Sequence, residues 1–196
     1  LCHDLANPLG AIAGFLEIAD TPEYLFKVKK HISQAAGAGL AIIALIRKMQ
    51  ALEEGKILMQ AVSLPDAVRE SAAILENLFV RKEIKLELQL EPGAMVRAEA
   101  TSLVNSVLNN LLTNAVKFSP RGGRIRVALQ AGAGRAQLAA RDEGIGMPPA
   151  LLRDLFDLRK TTSRPGTEGE SGTGFGMPLV RRFMRSYGGD IVVTSS

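Results

Sequence analysis

The feature that most constrains the fold of this chain is a change of period along it. Between Leu1 and Ile46 the apolar residues recur at helical spacing, first at Leu1, Leu5, Leu9, Ile12, Leu16 and Ala19 and then, after a break at Thr21-Pro22, at Leu25, Val28, Ile32, Ala35, Ile42 and Ile46. Steps of three and four put each set on one face of a helix. A helical hairpin is expected over residues 1–56. Two helices with one stripe each cannot enclose a core, so pairing with a second copy into a four-helix bundle is the expected solution.

Beyond Gly55 the texture changes. A Pro65-Asp66 turn opens a helical stretch to about Val80, and Ile84, Leu86, Leu88 and Leu90 then alternate with polar residues as in a half-buried strand. Glu91-Pro92-Gly93 leads into a helix from about Thr101 to Phe118, and Pro120 to Gly123 turns the chain into strands near Arg124–Gln130 and Gln137–Arg141. A polar stretch from Arg159 to Ser171, a helix from about Gly176 to Tyr187 and a strand at Ile191–Thr194 complete the pattern. Residues 61–196 are thus expected to form a second domain, an α/β sandwich with one layer of helices and one of strands, and the whole chain is of the α+β class.

Composition removes several classes of function. With 196 residues and 46% hydrophobic content the chain can bury a core. The net charge of +4 is modest, only 5% of residues are aromatic and no basic patch is interleaved with rings, so no nucleic-acid partner is expected. Cys2 is the single cysteine, which excludes an internal disulfide or a multi-cysteine metal site and fits a reducing, cytoplasmic setting. The longest apolar run, Gly39 to Ile46, ends at Arg47 and Lys48, far short of the roughly 18 to 20 residues that span a bilayer, so no membrane contact is expected of this segment. The chain starts at Leu1 without a basic-then-apolar leader, as expected of a piece of something longer, with room for a sensor or membrane anchor upstream.

Three segments carry chemistry. Residues 106–119 read SVLNNLLTNAVKFS, which spaces Asn110, Asn114 and Lys117 four and three apart on one helix face. A carboxamide oxygen suits a hard cation such as Mg, and a lysine beside it suits phosphate oxygens. Residues 141–148 read RDEGIGMP, with Asp142 at a strand end and Gly144 and Gly146 permitting a sharp turn where a carboxylate can accept from an adenine amino group. Residues 172–177 read GTGFGM, glycines at a helix start where backbone N–H groups can approach phosphate. This last segment lacks the Lys-Ser/Thr of a P-loop and the preceding strand of a dinucleotide fold.

Taken in order, these segments resemble the N, G1 and G2 boxes of the sensor histidine kinase catalytic domain, whose superfamily includes Hsp90, gyrase B and MutL. The resemblance implies an ATP site in which Asn114 is the Mg ligand, Asn110 and Lys117 line the phosphates, Phe118 lies beside the nucleotide and Asp142 reads adenine. It further implies that Gly144 and Gly146 flex behind the base, that Gly172, Gly174 and Gly176 hinge a lid made by Arg159 to Ser171, and that Thr173 belongs to the ATP-binding residues. Lys160 and Arg164 are candidates for reaching the γ-phosphate. The lid composition, with Pro165, glycines and no apolar anchor, is that expected of a mobile loop.

Residues 1–9, LCHDLANPL, resemble the H box of the same kinases. At about 100° per residue, His3 and Asn7 fall together and nearly opposite the Leu1-Leu5-Leu9 stripe, so the imidazole is expected to face solvent. A histidine attacks phosphorus when one ring nitrogen is unprotonated and the other N–H is held by an acceptor, for which Asp4 is the candidate. Pro8 is expected to bend the helix just beyond. His31 borders the second stripe and reads as packing or surface.

By resemblance, phosphate passes from ATP to His3 and on to an aspartate of a response regulator receiver domain, with Asn7 a candidate to orient water in a reverse, phosphatase reaction. Ala6, where the family often has a basic residue, and Leu158, where it has an aromatic after Phe156, depart from the pattern. The alternative is a histidine phosphotransfer or adaptor protein with a non-catalytic ATP domain, against which stand Asn114, Asp142 and the intact glycines. A clamp of the Hsp90 or MutL kind would need no His3-Asp4 pair on a helical hairpin.

Overall fold

The chain divides into two units, Leu1–Lys56 and Ile57–Ser196. The computed structural model describes residues 6, 9–14, 29, 32, 36, 43, 47 and 50 of the first unit, all helical, and residues 58–195 of the second apart from 158, 161, 171 and 173. Most of the hairpin expected over residues 1–56, and with it the four-helix bundle, lies outside the described residues.

In the second unit β1 (Gln60–Ser63) pairs antiparallel with β3 (Met95–Ala98), a small sheet of its own. The larger sheet has the order β2 (Lys85–Leu90), β4 (Arg124–Gly132), β5 (Arg135–Asp142), parallel between the first two and antiparallel between the last two. Along β4 every second residue points inward, with Ile125, Val127 and Leu129 buried and Arg126 and Gln130 exposed. The register Lys85↔Arg124 to Leu90↔Leu129 stacks the β2 leucines beside that row. Being the strand at the sheet edge, β2 leaves Leu86 and Leu90 half-buried and Leu88 exposed, close to the half-buried strand its alternation predicts.

Helix α1 (Leu64–Ile74) begins where its sequence requires. Ser63 accepts from the Asp66 N–H, Pro65 occupies the first turn without costing a hydrogen bond and Asp66 meets the positive end of the helix. Its inward face, Leu64, Ala67, Val68 and Ser71, is buried, and the Ser71 hydroxyl donates to Asn109 Oδ1 at 2.6 Å. After the short α2 (Glu76–Arg81), the long helix α3 runs through Ala100–Ser102, a wider π-helical stretch at Leu103–Leu108 and a regular α-helical part at Asn109–Phe118. The π stretch buries Leu103, Val104, Ser106, Val107 and Leu108, and it resets the helical phase before the segment carrying Asn110, Asn114 and Lys117.

A short helix α4 (Pro149–Asp154) follows β5, and α5 (Gly176–Ser186) presents Pro178, Leu179, Val180 and Phe183 to the core. Helices α1 and α5 pack on α3, and α3 lies over β5. Where the layers meet, Val68, Leu108, Leu111 and Leu112 face Val127, Leu138 and Ala140. The expected α/β layering is therefore present in residues 58–195.

One expected strand is absent. Residues 191–194 form no ladder, and Val192 is 86% exposed. An alternating pattern needs a pairing edge to become a strand, and this segment is held instead by the Met147 N–H donating to Ser195 Oγ at 2.7 Å. No helix among the described residues is long and apolar enough to cross a membrane.

Phe183, 1% exposed and 6.1 Å from the Tyr187 ring, fills the centre of the helical layer. Phe183→Ala is expected to cost about 3–5 kcal/mol, read as a lower urea midpoint with an unchanged slope.

Candidate functional site

The last turn of α3 and the two glycine segments meet at one place. Asn110 is pinned by its own helix, Nδ2 donating to the Ser106 carbonyl at 2.8 Å, so its Oδ1 is held facing the first residue of α5. A Cβ placed on Gly176 would lie 2.6 Å from that oxygen, which explains the glycine by close approach. One turn on, Asn114 is half-buried, and its carboxamide has no hydrogen-bond partner among the described residues. Lys117 completes the face, with Nζ 4.8 Å from the centroid of the adjacent Phe118 ring. Burial holds its ammonium below the usual lysine range, a shift that Glu170 opposes and Arg164 reinforces.

The turn after β5 is attached to the same helix end. Asp142 sits on the last residue of the strand, exposed, and its Oδ1 accepts from the Gly144 N–H at 2.9 Å, an Asx turn that aims the carboxylate outward. Gly144 is pressed against the chain, since a Cβ there would fall 2.6 Å from both Asp142 Oδ1 and the Phe118 carbonyl. Ile145 N–H donates to that carbonyl at 3.1 Å. Gly146 takes the left-handed conformation at φ 61°, and its carbonyl accepts from Arg164. The Arg164 guanidinium in turn lies 4.6 Å from the Phe118 centroid, so the ring carries a cation from each neighbouring segment.

The polar loop makes several contacts with the end of α3 and with the turn after α2. Thr167 donates from its N–H to the Lys117 carbonyl at 3.0 Å and from its hydroxyl to the Ser119 carbonyl at 2.6 Å. Arg121 bonds Glu168 and Glu83, and Lys82, buried in the turn after α2, bonds Glu170 at 2.6 Å. Apolar residues do not hold this loop; carbonyls and charges do. Ser163 closes the far side by donating to the Gly172 carbonyl at 2.5 Å, and Thr162 bonds the Gly174 carbonyl at 3.3 Å. Gly174 is at φ 78°, and a Cβ there would meet Ser163 at 3.2 Å. A Cβ on Gly172 would meet Lys117 Nζ at 2.7 Å.

The structure thus brings together Asn110, Lys117, Phe118, Asp142, Gly144, Gly146, Arg164, Gly172, Gly174 and Gly176, with Asn114 on the shared helix face. Lys160 stands apart, exposed, its backbone N–H on the Asp157 carbonyl and its charge beside the Asp157 carboxylate. His3, Asp4, Asn7 and Thr173 lie outside the described residues. Lys82, Thr167 and Glu170 are the residues of the site that sequence reasoning passed over. A lysine just before a strand and an acid within a polar loop carry no local pattern that would pair them across 88 positions.

Comparison with known proteins supplies the family context. Residues 99–196 match the family described as histidine kinase-, DNA gyrase B-, and HSP90-like ATPase. Sporulation kinase C of Bacillus subtilis is 27% identical over 208 residues, spanning all of this chain and 44% of that protein. Histidine protein kinase DivJ of Caulobacter vibrioides is 30% identical over 205 residues, again all of this chain and 34% of that protein. The chain therefore spans less than half the length of these relatives. Among solved structures, histidine kinase ThkA in complex with the response regulator protein TrrA has a similar fold, with a TM-score of 0.68, 20% identity, and coverage of 96% of this chain and 53% of that one.

Glu170 gives the site a pH signature. Burial alone would raise its pKa, but the Lys82 hydrogen bond and the backbone N–H groups around it outweigh burial and bring it from 4.5 to about 2. A depressed carboxylate stabilises the fold fully above its unfolded value and loses that contribution as pH falls toward its folded one. The stability advantage of the wild-type chain over Glu170→Gln should accordingly be greatest above pH 4.5 and shrink toward pH 2. Denaturant titrations at a series of pH values measure it, and a pH-independent difference would contradict the assignment.

Proposed function

Because the chain belongs to the family of histidine kinase-, DNA gyrase B-, and HSP90-like ATPases, we propose that it is the catalytic core of a protein histidine kinase, taking Mg-ATP as phosphoryl donor and His3 as acceptor. The observation that carries the ATP site is the convergence at the end of α3. Gly176 lies against Asn110, Gly172 against Lys117 and Gly144 against the Phe118 carbonyl, each so closely that a Cβ would fall within 2.6–2.7 Å of its neighbour. Three segments with these residue types, meeting around a face of Asn and Lys side chains, suit a nucleotide with its phosphates toward the helix.

The donor set fits a metal that arrives with its nucleotide. The described residues hold no group of three or more His, Cys, Asp or Glu side chains that could build a cage for a metal ion. Mg, which keeps several waters and leans on substrate phosphates, needs only one or two protein oxygens. The Asn114 carboxamide, half-buried and without a partner among the described residues, is the oxygen proposed for it. Lys117 and Arg164, both beside Phe118, supply the positive charge that phosphoryl transfer requires, since this chemistry is mostly positioning and charge neutralisation. Asp142, its carboxylate turned outward by the Gly144 N–H, is the proposed acceptor for the adenine amino group.

In the proposed reaction an unprotonated ring nitrogen of His3 attacks the γ-phosphorus while the bond to the bridging oxygen breaks and ADP leaves. Asp4 holds the proton on the other ring nitrogen. The phosphoryl group then passes to a receiver-domain aspartate, a step supported by the ThkA complex with its response regulator at the level of fold. Residues 1–56 form the proposed dimerisation and phosphoacceptor hairpin, which would make the protein a homodimer, and Asn7 is proposed to orient water for the reverse reaction. The presence of Asn114, Asp142 and the glycines of both turns favours catalysis over an adaptor role. Cytoplasmic placement of this core is part of the same proposal.

Two substitutions separate the parts. His3→Gln should abolish acid-labile, base-stable labelling by γ-labelled ATP while leaving nucleotide affinity unchanged; persistent labelling would refute the acceptor assignment. Asn114→Ala should weaken ATP binding in Mg by at least about tenfold and reduce the difference between Mg and a chelator, as measured by calorimetry, because it removes the proposed protein oxygen from the ion.

A further inference from the structure

We propose that Lys82 is a positioning residue for the nucleotide site, tying the loop of residues 162–170 to the end of α3 and thereby fixing the Lys117 ammonium. The inference rests on reading this region as a Mg-ATP site, and it adds a residue that touches none of the proposed ligands. Lys82 follows directly on α2, and its side chain is 4% exposed. A lysine is rarely buried unless its charge is paired and its N–H groups have acceptors. Here Nζ donates to Glu170 Oε1 at 2.6 Å and to the Lys117 carbonyl at 3.0 Å. That carbonyl belongs to the last turn of α3, the negative end of the helix, where a cation is favoured.

Lys82 thus joins a loop carboxylate to the carbonyl of Lys117 itself. Glu170 organises the loop as well as bonding Lys82, since its Oε2 accepts from the Glu168 N–H at 2.8 Å and its carbonyl from the Gly166 N–H at 2.9 Å. Gly166, held by that turn, lies so close to Lys117 that a Cβ would fall 2.6 Å from Cγ, while a Cβ on Gly172 would fall 2.7 Å from Nζ. The loop therefore lies close against the stem of Lys117, and Gly172, just beyond it, close against the head. If Lys82 loses its charge, Glu170 is left without its cation, the Lys117 carbonyl loses a donor, and the loop that confines the Lys117 ammonium is released. An effect that reaches the nucleotide through Lys117 acts on its phosphates, since the loop's bond to the base-side turn, Arg164 to the Gly146 carbonyl, involves neither Lys82 nor Glu170.

The test compares two probes on the full 196-residue chain. Lys82→Met should weaken Mg-ATP binding by about tenfold, equivalent to about 1.4 kcal/mol, and change the affinity for adenosine, followed by NMR shifts, by less than about twofold. Glu170→Gln should have the same selectivity, and the double variant should fall well short of the sum, as for two residues of one contact. Equal loss for both probes, or no loss, overturns the proposal. Should Lys82→Met fail to fold, Glu170→Gln is judged by the same criterion. If the wild-type chain binds no Mg-ATP, the nucleotide reading itself fails, and the tether is still decided by cleavage after Glu168 with a glutamate-specific protease. Faster cutting in Lys82→Met supports the tether, and an unchanged rate overturns it.

Discussion

The free carbonyls at the end of α3 are what the rest of the site depends on. An α-helix leaves its last carbonyls without intrahelical partners, and most helices satisfy them with a glycine cap or water. Here Ser119 leaves the helix in an extended conformation and the unpaired groups are met from distant parts of the chain. The Lys117 carbonyl takes Lys82 and Thr167, the Phe118 carbonyl takes Ile145, and the Ser119 carbonyl takes Thr167. One helix end thus fastens the turn after β5 and the long polar loop at adjacent positions. The loops that would bracket a nucleotide are placed by backbone chemistry of the helix that carries Asn110, Asn114 and Lys117.

That helix can serve as a reference because its other end is fixed by packing. The π-helical stretch Leu103–Leu108 is almost wholly buried between α1 and α5, and the Ser71 hydroxyl marks the return to α geometry by bonding Asn109. Burial there and half-buried carboxamides at Asn110 and Asn114 sit on a single rod. The loop, by contrast, is held by hydrogen bonds, ion pairs and the Arg164 guanidinium over the Phe118 ring.

How legible this was in the residues differs by kind of feature. Local pattern is enough for the alternation of β2, the turn-bounded strand β4, the helices α1 and α5, and the spacing of Asn110, Asn114 and Lys117, because these depend on residues a few positions apart. Close approach was legible as glycine: Gly144, Gly172 and Gly176 each sit where a Cβ would strike a neighbour. The β1–β3 pair was not, since four residues such as Gln60–Ser63 are too few to establish an alternation and their partners lie beyond two intervening helices. The segment 191–194 has strand composition and no ladder, because composition cannot supply a pairing edge. Lys82 carries no local signal either. Its identity is ordinary, and only the tertiary fold shows that it is buried.

Charge is sorted around Phe118 in a way that bears on what the site accepts. Lys117 and Arg164 both face the ring, and the carboxylate whose field reaches Lys117 is Glu170. That carboxylate is already committed, with Oε1 on Lys82 and Oε2 on a backbone N–H, and its depressed pKa of about 2 keeps it ionised there at any physiological pH. A free glutamate at this distance would compete with phosphate for the lysine. By giving Glu170 its own buried cation, the fold holds Lys117 partly desolvated beside a second positive group and without a salt bridge among the described residues, a combination that favours an incoming anion. In the proposed nucleotide site the loop's Glu170 would then draw on Lys82 and leave the Lys117 charge to the phosphates.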